Sequence, residues 1–317
     1  MEIRTGYAKV PWGQKRSASE DGLGELEIHY EDLGDVGDPP VLLIMGLGAQ
    51  LVLWHNEFCQ KLVDLGYRVI RFDNRDVGLS TKLHGQRTDA ALIPRLIRSF
   101  VGLPSKSVYR LEDMADDAAA VLDHLGIESA HVVGASMGGM IAQIFAARYP
   151  GRTEGLGIIF SSNNSALLPP PAPKALLTLI KGPPPNSPRE IIVENSVRVS
   201  KIIGSPAYRL SDEQLRADAI ETYERCFYPQ GVGRHFGAIL GTGSLKRYDT
   251  QIAAPTVVIH GRADKLVRPA GGRAVAGAIA GARLVLFGGM AHDLPQPLWD
   301  DIISELNITF AQFAQVR

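Results

Sequence analysis

HVVGASMGGMIAQ, running from His131 to Gln143, places one hydroxyl between an apolar run and a cluster of glycines. The run His131–Gly134 has the β-branched content of a buried strand, and Ile141, Ile144 and Ala147 recur at the spacing of a helix. Ser136 sits where one pattern stops and the other begins. Gly134, Gly138 and Gly139 around it indicate a turn too tight for a Cβ on the neighbouring strand or helix. A strand, a turn of the form GxSxG and a helix from about Met137 make a nucleophile elbow, which exposes Ser136 beside a helix N-terminus.

Outward from that turn, short apolar runs alternate with helical patterns. VLLIM (41–45), YRVIRF (67–72), LGIIF (156–160), TVVIH (256–260) and RLVLF (283–287) read, with HVVG, as strands buried on both faces. Leu26, Ile28 and Tyr30 alternate with polar residues, which predicts a half-exposed antiparallel edge. Leu111, Met114, Ala118, Val121, Leu122 and Leu125 mark a helix. The alternation predicts an α/β fold with a mostly parallel sheet between two layers of helices.

The rhythm stops between Phe160 and Thr256. Proline-rich SSNNSALLPPPAPK and GPPPNSP lead into helical stretches near Ile191–Ile203 and Ser211–Tyr228, the second opened by a capping box from Ser211 to Gln214. This predicts a helical cap over residues 161–245, inserted into a core made of 1–160 and 246–317.

Lys and Arg total 33 against 34 Asp and Glu. That balance leaves no overall field for nucleic acid or an anionic membrane, so a small, largely apolar partner is expected. The segment MEIRTGYAKVPWGQKRSASEDG has no apolar core of a signal peptide, and VLLIMGLGAQLVLW is shorter than a membrane span; a cytoplasmic protein is expected. Cys59 and Cys226 have no metal-binding spacing and read as free thiols.

A serine hydroxyl needs a base, and the base an orienting acid. His292, in GGMAHDLPQP, is the one histidine of eight beyond RLVLF, and Asp264, in GRADKLV, follows TVVIH. The loop after LGIIF offers Ser161, Ser162, Asn163 and Asn164 but no carboxylate, and Asp293 adjoins His292 with its side chain expected to point elsewhere. Backbone N–H groups of Met137 and of Leu47, in MGLGAQ, are the expected oxyanion donors. Gly46, Trp54 and His235 are candidate substrate contacts. Asp73, Arg75 and Asp76 read as a structural turn with ion pairs. No metal or organic cofactor is expected.

Taken together, MGLG, FDNRDVGLST, GASMGG, HGRADKLV and GMAHD resemble the α/β-hydrolase family over almost the full chain. MG in place of the usual HG, together with DNRDVGLST, is similar to its bacterial antibiotic esterases, the aclacinomycin methylesterase subgroup. The resemblance implies hydrolysis of an ester, such as a polyketide methyl ester or a macrolide lactone, by a Ser136–His292–Asp264 triad. Cofactor-free perhydrolysis and a non-catalytic ligand receptor are alternatives on the same fold. A Rossmann dehydrogenase is disfavoured, because no GxGxxG follows the first strand.

Overall fold

The computed structural model describes residues 2–12, 24–88, 90–180, 182–184 and 186–314. The N-terminal run GQKRSASEDG lies outside the described residues. Eight strands form one sheet: β1 (Ile3–Pro11), β2 (Glu25–Leu33), β3 (Pro40–Ile44), β4 (Arg68–Phe72), β5 (Ala130–Ala135), β6 (Thr153–Ile159), β7 (Thr256–Gly261) and β8 (Arg283–Phe287), in the order β1-β2-β4-β3-β5-β6-β7-β8. The β1–β2 and β2–β4 pairs are antiparallel and all others parallel. Eleven helices are described: α1 (Asn56–Asp64), α2 (Leu92–Phe100), α3 (Leu111–His124), α4 (Met137–Arg148), α5 (Pro173–Ile180), α6 (Arg189–Ile203), α7 (Asp212–Arg225), α8 (Pro229–Thr242), α9 (Lys246–Asp249), α10 (Pro269–Ala278) and α11 (Trp299–Ala314).

The continuous apolar runs bury both faces because successive side chains point to opposite sides of a strand. Leu42, Ile44, Val132 and Ile158 pack with Met114, Val121 and Ile141 of α3 and α4. Val41, Leu43, Val133 and Ile159 pack with Phe58 of α1 and Ile302, Leu306 and Phe310 of α11. Burying each such side chain stabilises the fold by about 1.5–3 kcal/mol relative to leaving it in water.

Two edge expectations are corrected. The half-exposed edge is β1, whose Arg4, Lys9 and glycine content hides its alternation, while β2 pairs on both sides and buries Leu26, Ile28, His29 and Tyr30. β8 is the opposite edge and is only half-buried along its length, not closed on both faces. Between β6 and β7 lie α5 to α9 and, among the described residues, no strand. The capping box of α7 is present in both directions: Ser211 Oγ accepts from Gln214 N at 3.2 Å, and Ser211 N donates to Gln214 Oε1 at 3.1 Å. The sequence patterns indicated α6 and α7 but not α2, α5 or α8.

Candidate active site

The carboxyl ends of β3, β5, β7 and β8 converge on Ser136. Its backbone lies at φ +56°, ψ −120°, between the end of β5 and the first residue of α4. A non-glycine residue at positive φ costs on the order of 1–3 kcal/mol, so the surrounding packing has to enforce it. A Cβ at residue 134 would lie 2.2 Å from Gly138 O, and one at residue 138 would lie 2.0 Å from Ile44 O. The glycines therefore let β5, α4 and β3 approach more closely than any side chain permits. Ser136 N donates to Ile159 O at 2.9 Å, and Ser161 Oγ donates to Ser136 O at 2.7 Å.

His292 lies on the loop after β8. Its Nε2 is 2.8 Å from Ser136 Oγ and its Nδ1 is 2.8 Å from Asp264 Oδ2. Asp264 Oδ1 accepts from Leu266 N and Val267 N at 2.8 and 2.9 Å, and His260 Nε2 is 3.5 Å from Oδ2. Burial alone would raise the Asp264 pKa. The charge on His292 and the bonds to His260 and His292 overcome it and pull the value down to about 2. An ionised Asp264 requires the Nδ1–H tautomer of His292, which leaves Nε2 free to accept the hydroxyl proton of Ser136. The three residues expected from sequence thus form one hydrogen-bonded chain. Asp293, by contrast, turns to Ser205, as its adjacency to His292 suggested.

The loop after β3 lies against the nucleophile, since a Cβ at Gly46 would be 3.1 Å from Ser136 Cβ. Among the described residues, neither Leu47 N–H nor Met137 N–H has a hydrogen-bond partner. Gly48, at φ +66°, donates its N–H to His235 Nδ1 at 3.1 Å. His235 Nε2 is 2.7 Å from Arg75 O, a carbonyl that can only accept, so the ring carries its proton on Nε2. Burial holds the His235 pKa below its ordinary value.

This geometry corrects two expected substrate contacts. His235 and Trp54 are both 0% exposed. His235 braces the loop from behind, and Trp54 packs on Phe58 in the core, so neither presents a surface to a ligand. Gly46 stays at the site, adjoining Ser136. The turn after β4 is built from ion pairs: Asp73 accepts from Leu51 N and Leu79 N and pairs with Arg225 at 2.8 Å, Asp76 pairs with Arg234 at 2.8 Å, and Arg75 pairs with Asp117. Those pairs tie α7 and α8 to the sheet.

Ser205, just beyond α6, was not visible as a site residue. Its Oγ accepts from Ala291 N at 2.8 Å and donates to Asp293 Oδ1, while its N donates to Asp293 Oδ2 at 3.0 Å. His292 N donates to Ile203 O at 3.0 Å. The loop carrying His292 is therefore fastened to the end of α6. No local motif announces such a contact. Among the described residues no group of three or more potential ligands is arranged for a metal ion, and no helix is long and apolar enough to cross a membrane.

A family model described as alpha/beta hydrolase fold matches residues 39–295. The chain is 29% identical to rhodomycin D methylesterase DnrP of Streptomyces peucetius, covering 86% of this chain and 90% of that one. It is 28% identical to a 2-hydroxy-6-oxononadienedioate/2-hydroxy-6-oxononatrienedioate hydrolase of Paraburkholderia xenovorans, covering 86% of each. The solved 2-hydroxy-6-oxo-6-phenylhexa-2,4-dienoate hydrolase of Rhodococcus sp. strain RHA1 superposes with a TM-score of 0.69 at 17% identity, covering 98% of this chain and all of that one.

Proposed function

The chain belongs to the α/β-hydrolase fold family, and from that premise we propose that it is a serine esterase. The observation that carries the reading is the unbroken chain Ser136 Oγ–His292 Nε2, His292 Nδ1–Asp264 Oδ2, with 2.8 Å at each link. Ser136 attacks the ester carbonyl while its proton moves to His292 Nε2, and Asp264 stabilises the imidazolium. The tetrahedral oxyanion is held by the free N–H groups of Leu47 and Met137, the latter at the positive end of α4. His292 then returns the proton to the leaving alcohol. In the second half, His292 deprotonates water, the hydroxide attacks the acyl-serine, and the acid leaves as Ser136 regains its proton.

Residues 161–245 act as a cap over the core formed by 1–160 and 246–317, and the substrate is an apolar small-molecule ester or lactone. The similarity to a rhodomycin D methylesterase supports a methyl ester, such as that of a polyketide. A panel running from short aryl esters to methyl esters of polycyclic acids and macrolactones tests the assignment, with Ser136→Ala beside the unaltered protein. The unaltered enzyme is expected to prefer the bulky methyl esters and to be labelled by a fluorophosphonate. Ser136→Ala is expected to fold normally, escape labelling and lose at least about 10³-fold in turnover. Equal turnover or labelling of the variant would overturn the nucleophile; cleavage of carbon–carbon bonds in dienedioates without ester turnover would overturn the substrate class.

A further inference from the structure

Helix α2 is inside out. Leu92, Ile93, Leu96, Ile97 and Phe100 recur at one-, three- and four-residue steps and make a single apolar stripe. In a globular protein that stripe faces the core. Here no residue of α2 is buried, and Ile93 and Ile97 are 71% and 62% exposed. Half-buried Arg95 turns toward the protein instead: its Nη2 donates to Gly237 O of α8 at 3.3 Å.

The apolar surface continues beyond the helix. Val101 and Leu103 are exposed, and Leu167, 70% exposed, donates its N–H to Phe100 O at 2.9 Å. Leu167 also holds φ +63°, a conformation that costs a leucine on the order of 1–3 kcal/mol and that keeps an apolar side chain in water. A contiguous exposed apolar surface of this kind marks an interaction site.

Charge identifies the partner. The chain carries a net charge of −1, yet residues 90–111 contain Arg95, Arg98, Lys106 and Arg110 and no acidic residue. Residues 161–188, which supply Leu167, contain Lys174 and Lys181 and again no acidic residue. Arg98, Lys106, Arg110 and Lys174 are exposed, and none forms an ion pair among the described residues. The whole-chain balance thus conceals exposed, unpaired Arg98, Lys106 and Lys174 on the two segments that carry the apolar stripe. That combination fits an anionic lipid surface, where apolar side chains enter the interface and Lys and Arg meet the phosphates.

We propose that α2 and the adjoining Val101, Leu103 and Leu167 dock the protein peripherally on anionic phospholipid bilayers. The contact adjoins α8, whose His235 supports the loop beside Ser136. Binding is separable from the proposed esterase activity, since Ser136→Ala is expected to bind vesicles like the unaltered protein.

Sedimentation with phosphatidylcholine vesicles, with and without about one-third phosphatidylglycerol, tests the proposal. Partitioning is expected to rise at least tenfold with phosphatidylglycerol and to fall at about 0.5 M salt. Ile93→Glu/Ile97→Glu is expected to abolish binding to both vesicle types while hydrolysing a soluble aryl ester at the unaltered rate. Arg98→Ala/Lys106→Ala is expected to lose roughly ten- to thirtyfold on the anionic vesicles alone. Absence of vesicle binding by the unaltered protein would overturn the proposal. So would light scattering that reports a dimer converted to monomer by Ile93→Glu/Ile97→Glu without vesicle binding, which would assign the stripe to a second copy of the chain.

Discussion

Gly48 N–H and His235 Nδ1 meet at 3.1 Å across 187 residues, so a fully buried imidazole from α8 fixes the loop that presents Leu47 to the nucleophile. His235→Leu fills the space but leaves the half-buried Gly48 N–H and the buried Arg75 carbonyl without their partner, at a cost of about 1–3 kcal/mol. It is expected to lower kcat roughly ten- to hundredfold with little change in KM. His235→Asn, whose Oδ1 can accept from Gly48, should recover part of kcat. Because burial lowers the His235 pKa, the folded state disfavours its protonation. The stability tied to the neutral ring is full above the ordinary histidine value of about 6.5 and is lost as pH falls below it. The Tm gap between the unaltered protein and His235→Leu should therefore narrow as pH is lowered from about 7 to 5. A gap that stays constant with pH would separate His235 from the loop's electrostatics.

The Leu47 N–H distinguishes backbone from side-chain chemistry. Leu47→Ala keeps the donor and is expected to hold kcat within about threefold. Leu47→Pro removes it and is expected to cost about 10²–10³ in kcat, the scale of losing one oxyanion donor. Circular dichroism and Tm establish that both variants are folded; equal kinetics in two folded variants would place the second donor elsewhere.

Asp264→Asn permits the wrong imidazole tautomer while conserving shape, and is expected to reduce kcat by about 10³–10⁴. Asp293→Asn supplies the contrast. Its carboxylate bonds to Ser205, not to the imidazole, so its loss should relax the His292 loop and cost about tenfold or less. Steady-state kinetics on the same ester ranks the two; a reversed ranking would reassign the acid.

Asp249 tests the opposite sign of titration. It is fully buried, bonded through Oδ2 to Asn163 Nδ2 at 2.7 Å, and its Oδ1 has no partner. Burial outweighs the Asn163 bond and raises its pKa from 3.8 to about 7. A folded state that keeps this proton loses stability as pH rises from about 4 to 7, because the unfolded chain has already released it. Asp249→Asn, neutral at every pH, should match the unaltered protein near pH 4 and exceed its Tm near pH 8. Parallel Tm curves for the two proteins would show that Asp249 is ionised in the fold.

What could be read beforehand was chemistry encoded within a few residues. The elbow announces itself because Gly134, Ser136 and Gly138 combine a strand, a turn and a helix in one short stretch, and Asp264 and His292 directly follow apolar runs. Helix α8 was hidden by Gly231, Gly233, Gly237 and Gly241, which lower helix propensity. Two of them serve close contact: a Cβ at residue 231 would lie 2.0 Å from Asp76 O, and one at 241 would lie 2.1 Å from Ser107 Oγ. Propensity yields there to close packing that only the folded chain contains. Ser205 escaped for a related reason, since its partner Ala291 is 86 residues away. The burial of His235 and Trp54 likewise depends on which elements cover them, and a residue's chemical type does not specify that.

The bonds from Ile203 and Ser205 to the 291–293 loop also limit how this chain can diversify. An insertion attached only at its two ends could be replaced freely by another of different shape, and substrate range could drift while the catalytic machinery stayed untouched. Here residues 203–205 hold the backbone of the histidine itself. A recombinant that exchanges residues 161–245 alone puts the bonds from Ile203 and Ser205 at risk and leaves the His292 loop held by Asp264 and by Ala263 N to Met290 O, whereas one that exchanges the 203–205 and 291–293 segments together keeps both sets. A change of residues at one of these two distant points therefore calls for a matching change at the other.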